Sequence, residues 1–311
     1  MAKSRTCEAG IRTRGLERKL EKTAYLFIAL PILMFLVFRI LPSLYSFYIS
    51  VMKWNLLSSS STIKFVGLDN YARVLGNDDF IQSMKNTAVY VLVSVPLMVL
   101  IGVIMGLMLN AIKCGKTFYR TLSFLPYVTT TVAVSFIWKM MFQESSGTVN
   151  ALLHAVGIGS QPFLNSPSQA IFVVISNVVW IRIGFNSIMT MAGLSQIPRS
   201  YYEASAIDGA TGWKQFWYIT LPQLNPTLVY ITMMGSITTL QLFTQIANIT
   251  TNGSVEGGGP LKSTTTMVYE IYLEGFRKYR MGTASAMTVI LFFIVLVFSL
   301  VQMKLMNRDT D

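Results

Sequence analysis

"YYEASAIDGATGWKQFWYITLP", residues 201–222, is polar and turn-rich and lies between two long apolar runs. It reads as a short helix, a glycine break and a second helix. Ser200 stands three residues before Glu203, the spacing of a capping box for a helix that opens after Pro198. Gly209 suits a left-handed helix end, and Ala210-Thr211-Gly212 lets the chain restart as "WKQFWYI" before Pro222. The flanks of this elbow set the fold class. The chain has 311 residues, is 52% hydrophobic and only 13% charged, with a mean hydropathy of +0.51, which a water-soluble domain has too little polar chain to cover. Six windows, beginning near Tyr25, Thr87, Leu122, Ala170, Thr227 and Gly282, are apolar over membrane length, which takes about 20 residues of helix. The expectation is an all-α, polytopic membrane protein with six transmembrane helices. The first window is too long for a cleavable signal and lacks a small-x-small site after it, so it reads as an anchor.

The net charge of +11 invites a nucleic-acid reading, but the cations are placed as a membrane protein places them. An even number of spans puts both termini on one side. With that side cytoplasmic, fourteen of the 25 Lys and Arg fall in inner segments and eight in outer ones, with Arg39, Lys139 and Arg182 in or at the ends of spans. Seven cations precede Tyr25, so the positive-inside rule sets cytoplasmic termini. Membrane lipid, through its anionic headgroups, accounts for the basic tail without any nucleic acid. The organisation is then a tail at residues 1–24, in which "GLERKLEK" reads as an interfacial helix or a solvated end, a six-span transmembrane domain at 25–305 with the elbow at 198–222, and a short tail at 306–311.

Chemistry-bearing clusters are sparse. Cys7 and Cys114 fall on the cytoplasmic side without metal-ligand neighbours, and His154 is the single histidine, so neither a metal site nor a catalytic set assembles. No cofactor is expected. "GKT" at 115–117 lacks the glycine five residues upstream that a phosphate loop needs, since position 110 is Asn. Gly102 and Gly106 form a G-x-x-x-G pair suited to close helix approach. Polar residues inside spans mark pathways by default. In span five Thr238, Gln241, Gln245 and Asn248 recur at helical spacing on one face; in span four Trp180, Gly184 and Ser187 share a face, with Gly184 opening a gap beside it. Such a stripe of amides either lines a pathway or joins helices. Arg39, in span one, is expected to snorkel outward along its apolar stem.

"EASAIDGATGWKQFWYITLPQL" (203–224) resembles the cytoplasmic motif of binding-protein-dependent ABC importer permeases, a Glu-Ala-Ala, three residues, Gly pattern with Ile-x-Leu-Pro after it. Glu203, Ala204, Gly209, Ile219, Leu221 and Pro222 match, and Ser205 stands where the second Ala is usual. "FVGLDNY" (65–71), "FYRTLSFLPYV" (118–128), "GTVNALL" (147–153), "GGGP" followed by "STTT", and "GTASA" (282–286) are similar, in this order, to the carbohydrate-importing branch. The resemblance implies a type I ABC importer permease fold without enzymatic chemistry of its own, paired with a second homologous permease as a heterodimer. It also implies two cytoplasmic ATPase subunits, an extracytoplasmic solute-binding protein and a sugar substrate. By the same resemblance, Glu203, Ala204, Ser205, Asp208, Gly209, Ala210, Leu221 and Pro222 would couple to an ATPase. Trp180, Ile183, Gly184, Ser187, Thr238, Thr239, Gln241 and Gln245 would line the sugar path. The rival reading, an ion-gradient-driven secondary transporter, finds no Asp or Glu at a span centre.

Overall fold

The computed structural model describes residues 21, 23–57, 63–251 and 257–306. The expected N-terminal helix and all but the end of the 1–24 tail lie outside them, as does the C-terminus from residue 307 on.

The chain begins as a 28-residue helix, α1 (Thr23–Ser50), which carries a π-turn at Leu36–Ile40. A hairpin of β1 (Met52–Lys53) and β2 (Lys64–Phe65), paired antiparallel with Met52 opposite Phe65, leads to the short helix α2 (Asp69–Leu75). Next comes α3 (Asp78–Ala111), whose N-cap Asn77 accepts from the Asp79 and Phe80 amides while Asp78 and Asp79 face the positive end of the helix dipole. α4 (Lys116–Val128) and α5 (Thr131–Met141) meet at 88°. After α6 (Thr148–Ala155), the long α7 (Pro167–Ser195) runs into the elbow helices α8 (Arg199–Ile207) and α9 (Gly212–Gln215). α10 (Asn225–Leu240), α11 (Thr244–Ile249), α12 (Met267–Tyr272, continued by a π-turn Leu273–Arg277) and α13 (Met281–Met306) complete the chain.

α1, α3, α7 and α13 are each long and apolar enough to cross a membrane, and the bent pair α4/α5 makes a fifth candidate if counted as one. The third and fifth windows are not single straight helices. α10 has 16 residues and stops at Leu240, short of the roughly 20 that a crossing takes, and the chain is non-helical at 241–243 before α11. Thr238, Gln241, Gln245 and Asn248 therefore do not share a face of one continuous helix. The Thr266 hydroxyl, donating at 2.6 Å to the Leu242 carbonyl, holds one of the backbone groups that the break releases.

Two helices set the rest. A Cβ on Gly102 would lie 2.4 Å from the Asn186 Cβ, and one on Gly106 2.7 Å from the Thr190 Cβ and 2.8 Å from the Ser187 carbonyl. α3 and α7 thus touch backbone to side chain, as the G-x-x-x-G spacing predicts. The Asn186 amide donates to the Met98 carbonyl at 3.0 Å and locks the register. Around this seam a core gathers Tyr90, Val95 and Met98 of α3, Val174 and Val178 of α7, and Ile246 and Ile249 of α11.

The end of the bundle at the start of α3 is tied by polar bonds. Asn70 donates to the Ser50 and Met52 carbonyls at 2.9 Å, and Gly282 is bare because a Cβ would sit 2.1 Å from the Met52 carbonyl. These contacts bring "FVGLDNY" and "GTASA" together. The "GGGP…STTT" stretch turns at Gly258 (φ +111) and Gly259 (φ +70) and folds onto α3. There Asn86 donates to the Lys262 and Thr265 carbonyls, and Thr87 accepts from the Met267 amide. Beneath it Glu270 and Glu274 are buried at 0% and 1% exposure beside Lys278 and Arg280. Burial pushes the Glu270 carboxyl above the usual carboxylate range. Burial is the largest single influence on the Lys278 ammonium and works against it, but its bond to Glu274 together with the charges of Glu274, Glu270 and Asp79 outweighs that and raises its pKa.

A leucine at Gly102 has no room without prising α3 from α7. Overpacking of this kind costs about 1–3 kcal/mol, so Gly102→Leu is expected to lower the melting temperature of the purified protein and to lose the register set by Asn186. Wild-type melting would mean that the two helices are not pressed together here.

Candidate functional site

The elbow is built from its base upward. Leu194, Ile197 and Leu224 are buried together, with Leu107, Tyr202, Ile219 and Leu228 packed against them. A Cβ on Gly193 would meet the Thr227 hydroxyl at 2.6 Å, so this glycine lets α10 start directly against the end of α7. α8 opens at Pro198, whose extended backbone (ψ 136) serves as N-cap without a side-chain bond. The expected Ser200–Glu203 capping box is not formed, because Ser200 already lies inside the first turn. α8 closes as the sequence predicts. Gly209 is left-handed (φ +73), its amide donates to the Ala206 carbonyl at 3.1 Å, and the Ala210 amide donates to the Ser205 carbonyl at 2.9 Å. This pair of bonds is a Schellman motif, which fixes the angle at which the chain leaves the helix.

The second arm is α9, a π-turn at Phe216–Thr220 and the turn Leu221–Gln223. Its side chains bolt it to α8. Gln215 donates to the Ser205 hydroxyl at 3.0 Å and to the Tyr202 carbonyl at 3.3 Å, and the Tyr202 and Thr220 hydroxyls lie 3.0 Å apart. Ser205 is therefore a working member of the joint; an alanine there could not accept the Gln215 amide. What remains uncovered is the outer face of α8: Glu203, Ala204, Asp208 and Gly209 are exposed, and Ile207 is 88% exposed at the apex. The motif reading missed Ile207, although its place four residues after Glu203 and just before Asp208-Gly209 marks the same face. Ala210 and Leu221 are half-buried, and Pro222 is exposed. Leu221 instead joins Trp213, Phe216 and Trp217 along an apolar cavity of about 660 Å³ against α3.

Within the membrane-length helices the expected path residues divide. Trp180 is 38% exposed and its ring lies 4.9 Å from that of Trp138, whose indole donates to Ser176 at 2.9 Å. Ile183, Thr238 and Gln245 are half-buried. Gln241, at the end of α10, lines a cavity of about 580 Å³ together with Arg39 of α1 and Thr288 of α13. Gly184 opens no gap: a Cβ there would lie 2.1 Å from the Ser123 carbonyl, because α4 crosses α7 at this point. Ser187 is buried and donates to the Gly184 carbonyl at 2.8 Å, and Thr239 is buried at 1%. Sequence periodicity missed Trp138, and it missed Asn177, whose buried amide has neither atom bonded.

The family described as "Binding-protein-dependent transport system inner membrane component" matches residues 98–309. The chain belongs to this family. It is a multi-pass inner-membrane permease of a binding-protein-dependent transport system. The permease is 31% identical over 284 residues, 91% of its length and 94% of the relative's, to the sn-glycerol-3-phosphate transport system permease protein of Agrobacterium fabrum. It is 35% identical to the lactose transport system permease protein of Rhizobium radiobacter, covering 93% of this chain and 95% of that one. With the trehalose/maltose transport system permease protein of Thermococcus litoralis it shares 33% identity, over 94% and 96% of the two chains. In fold it superposes on a bacterial alginate ABC transporter solved with an alginate pentasaccharide-bound periplasmic protein, with a TM-score of 0.81 at 23% identity, over 94% of this chain and 96% of that one.

Because Gly184 is a packing glycine, Gly184→Leu is expected to lower the melting temperature of the permease and with it every downstream activity. Lost transport with unchanged melting would instead restore Gly184 as an aperture.

Proposed function

We propose that this permease passes a sugar or related polyol, delivered by an extracytoplasmic binding protein, across the membrane by alternating access. In this reading two cytoplasmic ATPases drive the cycle, and a second homologous permease completes the path. The relatives named for glycerol-3-phosphate, lactose and trehalose/maltose transport support the substrate class, since all these compounds are polyhydroxylated. Each hydroxyl stripped of water must regain a bond or cost about 1–3 kcal/mol, and Gln241, Gln245 and Thr238 offer such bonds, while Trp180 offers a flat apolar face to a ring.

The observation that carries the mechanism is the elbow, an ordered pair of arms clamped to the ends of α7 and α10 with one face of α8 uncovered. Nucleotide-driven closure of two ATPases needs a stiff strut to move helices, and burying Ile207 in an ATPase groove would contribute about 1.5–3 kcal/mol. Glu203, Ala204, Asp208 and Gly209 would line that contact, with Ser205, Ala210, Leu221 and Pro222 holding its shape. α1 supports the second permease: none of its most apolar stretch is buried against its own chain. An ion-coupled carrier is the weaker reading, because Glu270 and Glu274 lie in α12, outside the candidate spans, and face Lys278 and Arg280.

Six crossings follow if α4/α5 and α10/α11 each traverse the bilayer once, and the basic N-terminal segment then places both termini inside. Reporters active only in the cytoplasm are expected to work at residues 1 and 311 and to fail near Ser59 and Ser160. Activity at Ser160 would overturn this topology.

The function is tested by uptake of labelled mono- and oligosaccharides into proteoliposomes that hold the full importer. The coupling is tested by Gly209→Pro, which forces φ to about −65° where +73° is needed and removes the amide that bonds Ala206. The variant is expected to insert but to lose substrate-stimulated ATP hydrolysis at least tenfold. Normal stimulation would reduce the elbow to a connector.

A further inference from the structure

We propose that the cavity between α1, the end of α10 and α13 is a subsite for the anionic group, a carboxylate or a phosphate, of the transported substrate. The proposal rests on the sugar-import reading and adds the charge of the cargo to it. Three independent features converge on this cavity.

The first is an uncompensated charge. Arg39 and Arg182 both lie in membrane-length helices. Arg182 has found a partner, with its guanidinium 5.8 Å from the centre of the Tyr127 ring. Among the described residues the Arg39 guanidinium makes no ion pair, hydrogen bond or ring contact; only its backbone carbonyl is engaged, by Ser43. A charged side chain at membrane depth faces a counter-charge or water as a rule, so Arg39, exposed, unpaired and in the wall of a cavity, marks a candidate functional feature. Here the cavity holds about 580 Å³ and has Arg39, Ser43, Ser46, Gln241 and Thr288 in its wall.

The second feature is the broken helix. Irregular backbone at membrane depth persists where it lines a cavity, and discontinuous helices are common at transport sites. α10 breaks at Gln241, whose side-chain amide has no partner among the described residues. The third is depth. Gln241 follows the last residue of α10 and Arg39 lies in the π-turn of α1, and both line this one cavity, so they stand at the same level. A fixed positive charge and a free amide at one level suit a ligand that combines an anion with hydroxyls. Outward snorkelling, the expectation from Arg39 alone, leaves the coincidence with Gln241 and the break without a reason.

The test uses the assembled importer in proteoliposomes, with Cys7 and Cys114 replaced by serine and the single reporter Gln241→Cys. Modification rates are measured with an anionic (ethylsulfonate) and a cationic (trimethylammonium) methanethiosulfonate, each normalised to a free thiol. The anionic reagent is expected to react on the order of tenfold faster, the factor one nearby charge imposes at an intermediate dielectric. The preference should vanish with Arg39→Gln and return with Arg39→Lys, and galacturonate should slow modification more than equimolar galactose. Equal rates for the two reagents, a preference that survives Arg39→Gln, or no modification at all would overturn the proposal. A preference that disappears when phosphatidylglycerol is added to phosphatidylcholine vesicles would assign the guanidinium to lipid phosphate and overturn it as well. Uptake separates the two readings: transport of neutral sugars alone, undiminished by Arg39→Gln, removes the anion subsite and leaves sugar import standing, whereas no uptake of any sugar removes the import reading itself.

Discussion

The approach of α3 to α7 is the constraint on which the other helices depend. Gly102 and Gly106 strip two turns of α3 to the backbone, and Asn186 and Thr190 fill the space from α7. In a bilayer there is no hydrophobic gain from bringing two apolar helices together, so close packing and buried hydrogen bonds must supply the attraction. The Asn186 amide bonds the Met98 carbonyl, which adds a directional bond to the steric fit. Both helices are long and unbroken, and the other elements are placed by reference to them. α4 lies across Gly184 of α7, α10 starts against Gly193 of α7, and the 257–266 loop packs on the N-terminal part of α3.

The same seam gives the elbow its leverage. The base of the elbow, Leu194, Ile197 and Leu224, is continuous with α7 on one side and α10 on the other, and Leu107 of α3 packs into it. A force applied to α8 therefore reaches three long helices through buried contacts. The Schellman motif and the Gln215–Ser205 bond remove the two soft places where it could be dissipated, the α8 terminus and the joint between the arms. A displacement of an ångström or two at α8 then arrives as rigid-body motion of the helix pair, the kind of transition on which alternating access relies.

Where local chemistry decides, the sequence was legible. Gly209 takes the left-handed conformation that its place after a short helix requires, and the G-x-x-x-G pair packs as its spacing implies. Where a partner distant in sequence decides, it was not. Gly184 reads as open space until α4 is seen to cross it at Ser123, and the Thr238-Gln241-Gln245-Asn248 period holds in sequence while the helix itself ends at Leu240. Ser200 has the right spacing for a capping box, but extended Pro198 starts the helix two residues too early for it. No local pattern marks Glu270 and Glu274; only the fold shows that the two carboxylates are buried with Lys278 and Arg280 beside them.

Regularity and irregularity are divided among the helices in a way that follows the work each does. α3 and α7 run without a break, α3 with Pro96 inside it, and α7 buries Asn186, Ser187 and Thr190 in packing. In the other membrane-length windows the departures from regular helix are three: the π-turn of α1 that contains Arg39, the 88° bend between α4 and α5, and the gap after Leu240. Each departure frees or redirects backbone groups that hydrocarbon cannot satisfy, so it persists only where protein or water meets them. Two of the three, at Arg39 and at Gln241, open on one cavity. A substrate path needs polar groups that the fold has left unspent, and the break after Leu240 leaves Gln241 as one of them. On the reading proposed above, the broken fifth window marks the path better than the polar stripe by which the sequence first suggested it.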